Sequence, residues 1–219
     1  GENPDTVFNV GGLGAHNIKN EKLLKRDDLE KKLNFRFFEH NILITIHPEI
    51  NNLKKGSLKK LNVLLKSLKN FQESLKIFTS SNCDAGGDTI NTQLKKFTKK
   101  NKNCLYFKNL GKLNYLSILK HVNCVIGNSS SGILEAPSLK TLTINLGQRQ
   151  EGREKASSII DAEYKIKAIS NAIRKSKKKQ ILNNKRIVNP YYKKDTFKNI
   201  IKIFKKINLK YYPKDFYDL

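Results

Sequence analysis

Residues 127–153 read GNSSSGILEAPSLKTLTINLGQRQEGR and carry the densest set of chemically useful side chains in the sequence. An apolar run, Cys124-Val125-Ile126, stops at Gly127. Asn128, Ser129, Ser130, Ser131 and Gly132 follow; they are small, rich in hydroxyls and able to bring backbone close to a ligand. Ile133 to Leu139 has the pattern of a helix, and Thr141 to Asn145 that of the next strand. A strand, a small-residue turn and a helix start make an anion site, because the first helical N–H groups lack partners and the dipole is positive there. Glu135, one turn into that helix, would repel a phosphate and suits a neighbouring diol such as a ribose. After the next strand, GQRQEGR brings in Arg149 and Arg153, whose planar guanidiniums match phosphate oxygens. The stretch reads as a nucleotide-diphosphate cradle on two adjacent βα loops. Ordinary capping of a serine-rich loop competes for GNSSSG alone, and the segments behind it favour binding.

A run of strands and helices must position these groups. Apolar, β-rich runs at Ile42–Ile46, Leu75–Thr79, Leu105–Phe107, Cys124–Ile126 and Thr141–Asn145 alternate with helical patterns. In Leu53–Asn70, for example, Leu58, Leu61, Leu64, Leu65 and Leu68 recur at helical spacing. That alternation predicts an α/β fold, a doubly wound, Rossmann-like parallel sheet with helices on both faces. His47 falls at the carboxyl end of the first run, where open α/β sheets place ligands, and Pro48 ends strand pairing there. A hydrogen-bonded structural role is the alternative for His47; His16, His40 and His121 are read as structural. The loop after Thr79 offers Asn82 and Asp84 as ligand contacts and Asp88 as a helix N-cap, with an Asx-rich turn as the alternative. Asn109–Leu113 is a further strand-end loop, leading into a helix over Tyr115–His121.

Towards the ends, Val7–Val10 is predicted as a short strand before a glycine cluster, and Arg26–Glu30 as a helix start with carboxylates at its positive pole. Ala162–Lys179 is predicted as a helix and Asn183–Arg186 as a linker. An amphipathic helix follows over about Asp195–Ile207, its stripe formed by Phe197, Ile200, Ile201, Phe204 and Ile207. The aromatic tail, residues 209–219, is expected to pack on a neighbouring surface. These divide the chain into 1–25, a hinge and the end of a preceding lobe; 26–180, a nucleotide-binding lobe; and 181–219, a C-terminal helix and tail.

The chain has 219 residues, 43 Lys plus Arg against 19 Asp plus Glu, and a net charge of +24. Arg is confined to Arg26, Arg36, Arg149, Arg153, Arg174 and Arg186, so lysine makes nearly all of the excess. The lysines fall on predicted helix faces, without a helix-turn-helix, zinc-finger or RNA-recognition signature. A solvated lysine surface is expected rather than a specific nucleic-acid partner. No apolar run approaches the roughly 20 residues that span a bilayer, so no membrane partner is expected. Cys83, Cys104 and Cys124 lack metal-site or disulfide spacing, which fits a reducing cytoplasm; Cys104 and Cys124 look like buried small hydrophobes. With no Met and Gly at position 1, the chain is expected to be part of a longer product.

GNSSSG, then EAPS, then GxRQxGR resemble the hydrolysing UDP-N-acetylglucosamine 2-epimerases of sialic-acid and legionaminic-acid biosynthesis, from Val7 to about Arg174. The resemblance implies one lobe of a two-lobed glycosyltransferase-B architecture. It implies elimination of the nucleotide to a glycal, with a proton removed at C2, followed by addition of water with inversion at C2. Neither metal nor cofactor takes part. It implies that His47 faces the diphosphate and the reacting sugar, that Ser129 and Ser130 bind phosphate oxygens, and that Glu135 holds the ribose hydroxyls. It further implies that Arg149 neutralises charge, that Asn82 and Asp84 lie near the nucleotide, and that the loop with Leu110 and Gly111 holds the base through backbone. Gln148 stands where many relatives carry a short Asp or Thr, a departure without effect on the chemistry. The carboxylates that act at C2 belong to the other lobe, so a UDP-sugar and an N-terminal lobe are the expected partners, with a homo-oligomer compatible. The chain alone is expected to be inactive. A GDP-sugar substrate, or a glycosyltransferase activity on the same architecture, stays open.

Overall fold

In the computed structural model of the protein, residues 2–49, 54–182 and 187–207 are described. Six strands form one sheet: β1 (His40–Thr45), β2 (Ser74–Thr79), β3 (Cys104–Phe107), β4 (Cys124–Gly127), β5 (Leu142–Leu146) and β6 (Ile159–Ala162). Every neighbouring pair is parallel, and the spatial order is β3-β2-β1-β4-β5-β6. The first five strands match the apolar runs. The sixth was not foreseen, because this edge strand is only partly buried and its Ile-Ile-Asp-Ala sequence lacks a continuous apolar run.

Burial on both faces explains the nearly continuous apolar sequence of the central strands. Along β1, Ile42 and Ile44 enter one core and Leu43 the other; along β4, Cys124 and Ile126 enter the first core and Val125 the second. Helices α3 (Lys54–Leu68), α4 (Gly87–Lys99) and α7 (Ile166–Leu182) cover the first face with Leu61, Leu64, Leu68, Ile90, Leu94, Ile169 and Ile173. Helices α1 (Leu13–Asn20), α2 (Arg26–Leu33) and α5 (Gly111–His121) cover the second with Ile18, Leu29, Leu116 and Leu119. The thiols of Cys104 and Cys124 are buried, and burial pushes them up to about 11 and about 12.

Four local expectations are corrected. Val7–Val10 is extended but unpaired among the described residues, with Val7 and Phe8 exposed; a strand needs a neighbour, and none lies beside it. Asp88 is not the N-cap of α4: Gly86 takes that position in a left-handed conformation, and Asp88 sits in the first turn. Helix α5 begins at Gly111 rather than Tyr115, with Asn109 accepting from the Gly111 N–H, so half of the expected loop is helix. The helix expected over Ile133–Leu139 is two pieces, a single turn α6 (Ser131–Leu134) and a 3-10 turn (Ala136–Leu139), with Pro137 unable to continue an α-helical ladder.

The last helix, α8 (Thr196–Lys206), forms where its spacing predicts, but Phe197, Ile201 and Phe204 stay exposed. The linker 183–186 and the tail 209–219 lie outside the described residues. One lysine escapes the surface reading: Lys76 on β2 is buried, its ammonium donating to the Phe71 carbonyl at 2.5 Å, and burial lowers its pKa.

Candidate functional site

Strand order reverses between β1 and β4: β2 and β3 lie on one side, β5 and β6 on the other. In open α/β sheets the crevice beyond the strand ends at this point is where ligands bind. Gly127 ends β4 so close to β1 that a Cβ there would lie 1.9 Å from the Thr45 carbonyl oxygen. Only glycine lets the two strands run together to the lip of the crevice. Next comes Asn128, fully buried. Its Oδ1 accepts from the His47 N–H at 2.8 Å, and its Nδ2 donates to the His47 carbonyl at 2.9 Å. Its own carbonyl accepts from Arg149 Nη1 at 3.1 Å and Gln150 Nε2 at 2.9 Å. One residue thus ties together the loops after β1, β4 and β5.

The His47 ring is fixed from a fourth loop. The Asn82 N–H donates to His47 Nδ1 at 3.1 Å, so Nδ1 is an acceptor and the neutral ring carries its proton on Nε2. Asn82 Nδ2 donates to Asp84 Oδ2 within the same loop. The loop is held tight at Gly87, where a Cβ would meet the Asn82 carbonyl oxygen at 2.2 Å. Burial lowers the His47 pKa, the Arg149 guanidinium lowers it further, and Asp84 opposes both. The ring is therefore a neutral imidazole near pH 7, with Nε2–H as its donor.

Beside this network runs a cleft of about 410 Å³ lined by Thr79, Ser80, Lys108, Asn109, Leu110, Gly111, Lys112, Tyr115, Leu116 and Glu135. The structure therefore gathers the nine sequence-predicted residues along the carboxyl edge of the sheet in two groups. His47, Asn82, Asp84 and Arg149 form the network at the switch point. Leu110, Gly111 and Glu135 line the cleft. Ser129 and Ser130 span the chain between Asn128 and α6. Ser130 is the N-cap of α6, yet its hydroxyl makes no capping bond, and the Ser129 hydroxyl accepts only a long 3.4 Å contact from the Ser131 N–H. Ordinary capping therefore does not account for these two hydroxyls. A single turn carries little of a helix dipole, so an anion here would rely on hydroxyls and Arg149 more than the sequence pattern suggested.

Several residues in the site were not singled out from sequence. Asn128 and Gln150 lay inside quoted motifs, but nothing in their types revealed that they bridge loops. Glu49, just after Pro48, pairs with Lys60, and its Oε1 would lie 3.0 Å from a Cβ at Gly147. Tyr164 packs at the same place; burial and the nearby Glu49 carboxylate raise its pKa. Lys60 lies 5.3 Å from the Tyr164 ring centre. The cleft also contains a hydroxyl chain through Tyr115 and Ser131, taken up below.

The sequence profile of the UDP-N-acetylglucosamine 2-epimerases matches residues 1–205. The chain belongs to that family. It is 40% identical over 185 residues to a GDP/UDP-N,N'-diacetylbacillosamine 2-epimerase (hydrolyzing) of Campylobacter jejuni, covering 84% of this chain and 47% of the relative. It is 35% identical to the polysialic acid biosynthesis protein P7 of Escherichia coli, covering 100% of this chain and 56% of that protein. The chain thus spans about half the length of the curated relatives it matches. The S. aureus MnaA–UDP co-structure superposes with a TM-score of 0.68 at 14% identity, over 99% of this chain and 59% of that one. At such identity the likeness is one of fold: a Rossmann-like lobe of the glycosyltransferase-B type.

Proposed function

We propose that this chain is the nucleotide-binding part of a hydrolysing 2-epimerase acting on a UDP-linked N-acetylated sugar such as UDP-N-acetylglucosamine. The observation that carries the reading is the Asn128 hub, which joins the neutral imidazole of His47 and the guanidinium of Arg149 at the switch point of the sheet. In this reading the diphosphate lies between the Ser129–Ser130 turn and Arg149. Glu135 chelates the ribose in the adjoining cleft, and the base lies against the backbone of Leu110 and Gly111. Asn82 and Asp84 hold His47 rather than the nucleotide. His47 Nε2–H then donates to the departing diphosphate oxygen, easing cleavage at C1 as the glycal forms.

The chemistry also needs a base that takes the C2 proton as the nucleotide leaves and a group that then delivers water to the glycal. His47, Asp84 and Glu135 are the titratable groups singled out on these loops from the sequence, and the structure adds Glu49. Asp84 is committed to Asn82, Glu49 to Lys60 and Glu135 to the ribose, which leaves His47 for acid–base work. The groups acting at C2 are assigned to the remaining half of a full-length relative, and residues 26–180 to the nucleotide lobe.

The identity of 40% to a relative named for GDP/UDP-N,N'-diacetylbacillosamine favours a second substrate reading, a nucleotide-linked diacetamido sugar with either base. Calorimetry with UDP and GDP at low salt tests the core of the proposal. Heat of binding is expected for at least one of them. No heat and no thermal shift with either at millimolar concentration would overturn it. With the remaining half supplied, UDP-N-acetylglucosamine and its diacetamido analogue should be distinguished by the rate of nucleotide release.

A further inference from the structure

Behind Glu135 lies a chain of hydroxyls that the proposed chemistry does not use. Ser131 Oγ donates to Glu135 Oε2 at 2.5 Å. The Tyr115 hydroxyl donates to Ser131 Oγ at 2.8 Å. A carboxylate can only accept, and a hydroxyl has one proton to give. The direction of the series is therefore forced from the carboxylate: Ser131 gives its proton to Glu135, and Tyr115 gives its own to Ser131.

The members come from separate elements. Tyr115 is on α5, Ser131 opens α6, and Glu135 follows the end of α6. Tyr115 and Ser131 are half-buried. Among the described residues, Ser131 is the one side chain seen to donate to the Glu135 carboxylate. A glutamate side chain is otherwise free to rotate, and freezing it at the moment of binding costs affinity. Here the rotation is already restrained, by a polarised pair of hydroxyls that starts on α5.

We infer that Tyr115, acting through Ser131, is a positioning residue that preorganises Glu135 to receive the vicinal hydroxyls of a ribose. The inference rests on the proposed reading of Glu135 as the ribose carboxylate. The chain makes that carboxylate a rigid element of the cleft rather than a mobile surface group, and it links ribose recognition to helix α5.

The test compares two ligands that share the diphosphate but not the ribose. In the full chain, Tyr115→Phe should weaken UDP binding roughly three- to tenfold, the scale of one newly immobilised side chain. It should leave inorganic pyrophosphate binding unchanged. Glu135→Ala should weaken UDP further and also spare pyrophosphate. Adding Tyr115→Phe to Glu135→Ala should cost nothing more, since the phenol acts only through the carboxylate. Ser131→Ala cuts the same series from the other side and is expected to match Tyr115→Phe, which keeps the test decisive should the tyrosine variant fail to fold. Equal losses for UDP and pyrophosphate in Tyr115→Phe and Ser131→Ala would mark both as merely structural. Additive losses on the Glu135→Ala background would do the same. If Glu135→Ala is selective while both hydroxyl variants are silent, the ribose reading stands and the positioning role falls. If Glu135→Ala is itself unselective, or the unaltered chain does not bind UDP, the ribose reading falls and takes this inference with it.

Discussion

A histidine stands at each end of β1, and the two are held in opposite ways. His40 opens the strand and is buried; its Nδ1 lies 2.8 Å from Ser74 Oγ on the neighbouring strand. Burial pushes it down to about 4, Lys177 and Lys76 add to the effect, and Glu73 opposes it. His47 stands just past the other end. It too is lowered by burial, then by Arg149, against Asp84. The direction of the shift is the same, so it cannot tell a structural histidine from a working one. The origin of the partners can. The hydrogen-bond partner of His40 is itself a strand residue in the sheet, whereas those of His47 arrive from the loops after β2 and β4, with Arg149 brought in by the loop after β5. Loops are the part of such a fold that can be rebuilt around a ligand without disturbing the core. A neutral ring held by loops at the switch point is poised for chemistry; a neutral ring held inside the sheet is paying only for its own burial.

The largest effect that would separate the two ends is steric. Gly127→Ala places a methyl group 1.9 Å from a backbone carbonyl that cannot rotate away. Either β1 and β4 separate at the site or the variant does not fold. We expect a loss of about 3 kcal/mol or more in urea denaturation, at the upper end for overpacking, with UDP binding abolished. A variant as stable as the parent would mean that the lip of the crevice is looser than its contacts indicate.

Next in size is the acid sensitivity of the His40 end. Its ring is neutral when folded, with a pKa of about 4, against about 6.5 when unfolded. Between those values the unfolded chain binds more protons, so stability falls as pH drops from 6.5 towards 4. The contribution is fully present above pH 6.5 and amounts to about 3 kcal/mol. Paired carboxylates such as Glu73 with Lys177 add a loss of the same sign at lower pH. The informative quantity is therefore the difference between the parent and His40→Gln, whose stability should be flatter over this window. Equal slopes in urea titrations at several pH values would show that His40 is charged in the folded state, and the contrast between the two ends would lose one side.

The sheet itself was legible because β1, β2 and β4 are buried on both faces and carry short apolar runs, Ile42-Leu43-Ile44, Ile77-Phe78 and Cys124-Val125-Ile126. Edge strand β6 was not, since a half-exposed pair of isoleucines followed by Asp161 and Ala162 says little. His47 and Arg149 could be picked out because their side-chain types suit the chemistry and they follow strand ends. Asn128 could not: its importance lies in hydrogen bonds to residues 81 and 21 or 22 positions away along the chain, and a polar residue after a strand is too common to reveal that. The break of the Glu135 helix into two turns could have been read from Pro137, which lies past the first turn, where it has no N–H to donate and its ring clashes with the carbonyl four residues back. Lys76 escaped because the alternation of β2 assigns its face but not its carbonyl partner.

The smallest effect sharpens the comparison most. If a diphosphate binds beside Arg149, its negative charge replaces a field that now disfavours protonation of His47. An opposite charge within a few ångströms raises a histidine pKa, and part of the Arg149 influence is neutralised as well. Protonation at Nδ1 would sacrifice the bond from the Asn82 N–H, which restrains the rise. We expect an upward shift of the His47 pKa with saturating UDP. By linkage, UDP should bind more tightly as pH falls through the window between the free and bound values. His40, at the far end of the same strand, should not move. Histidine Cε1–H resonances followed by NMR through a pH titration, with and without UDP, report both rings in one experiment. Movement of His47 alone would support the diphosphate at the switch point. Movement of neither would remove the anion from the His47 network and leave its lowered pKa, like that of His40, as a consequence of burial.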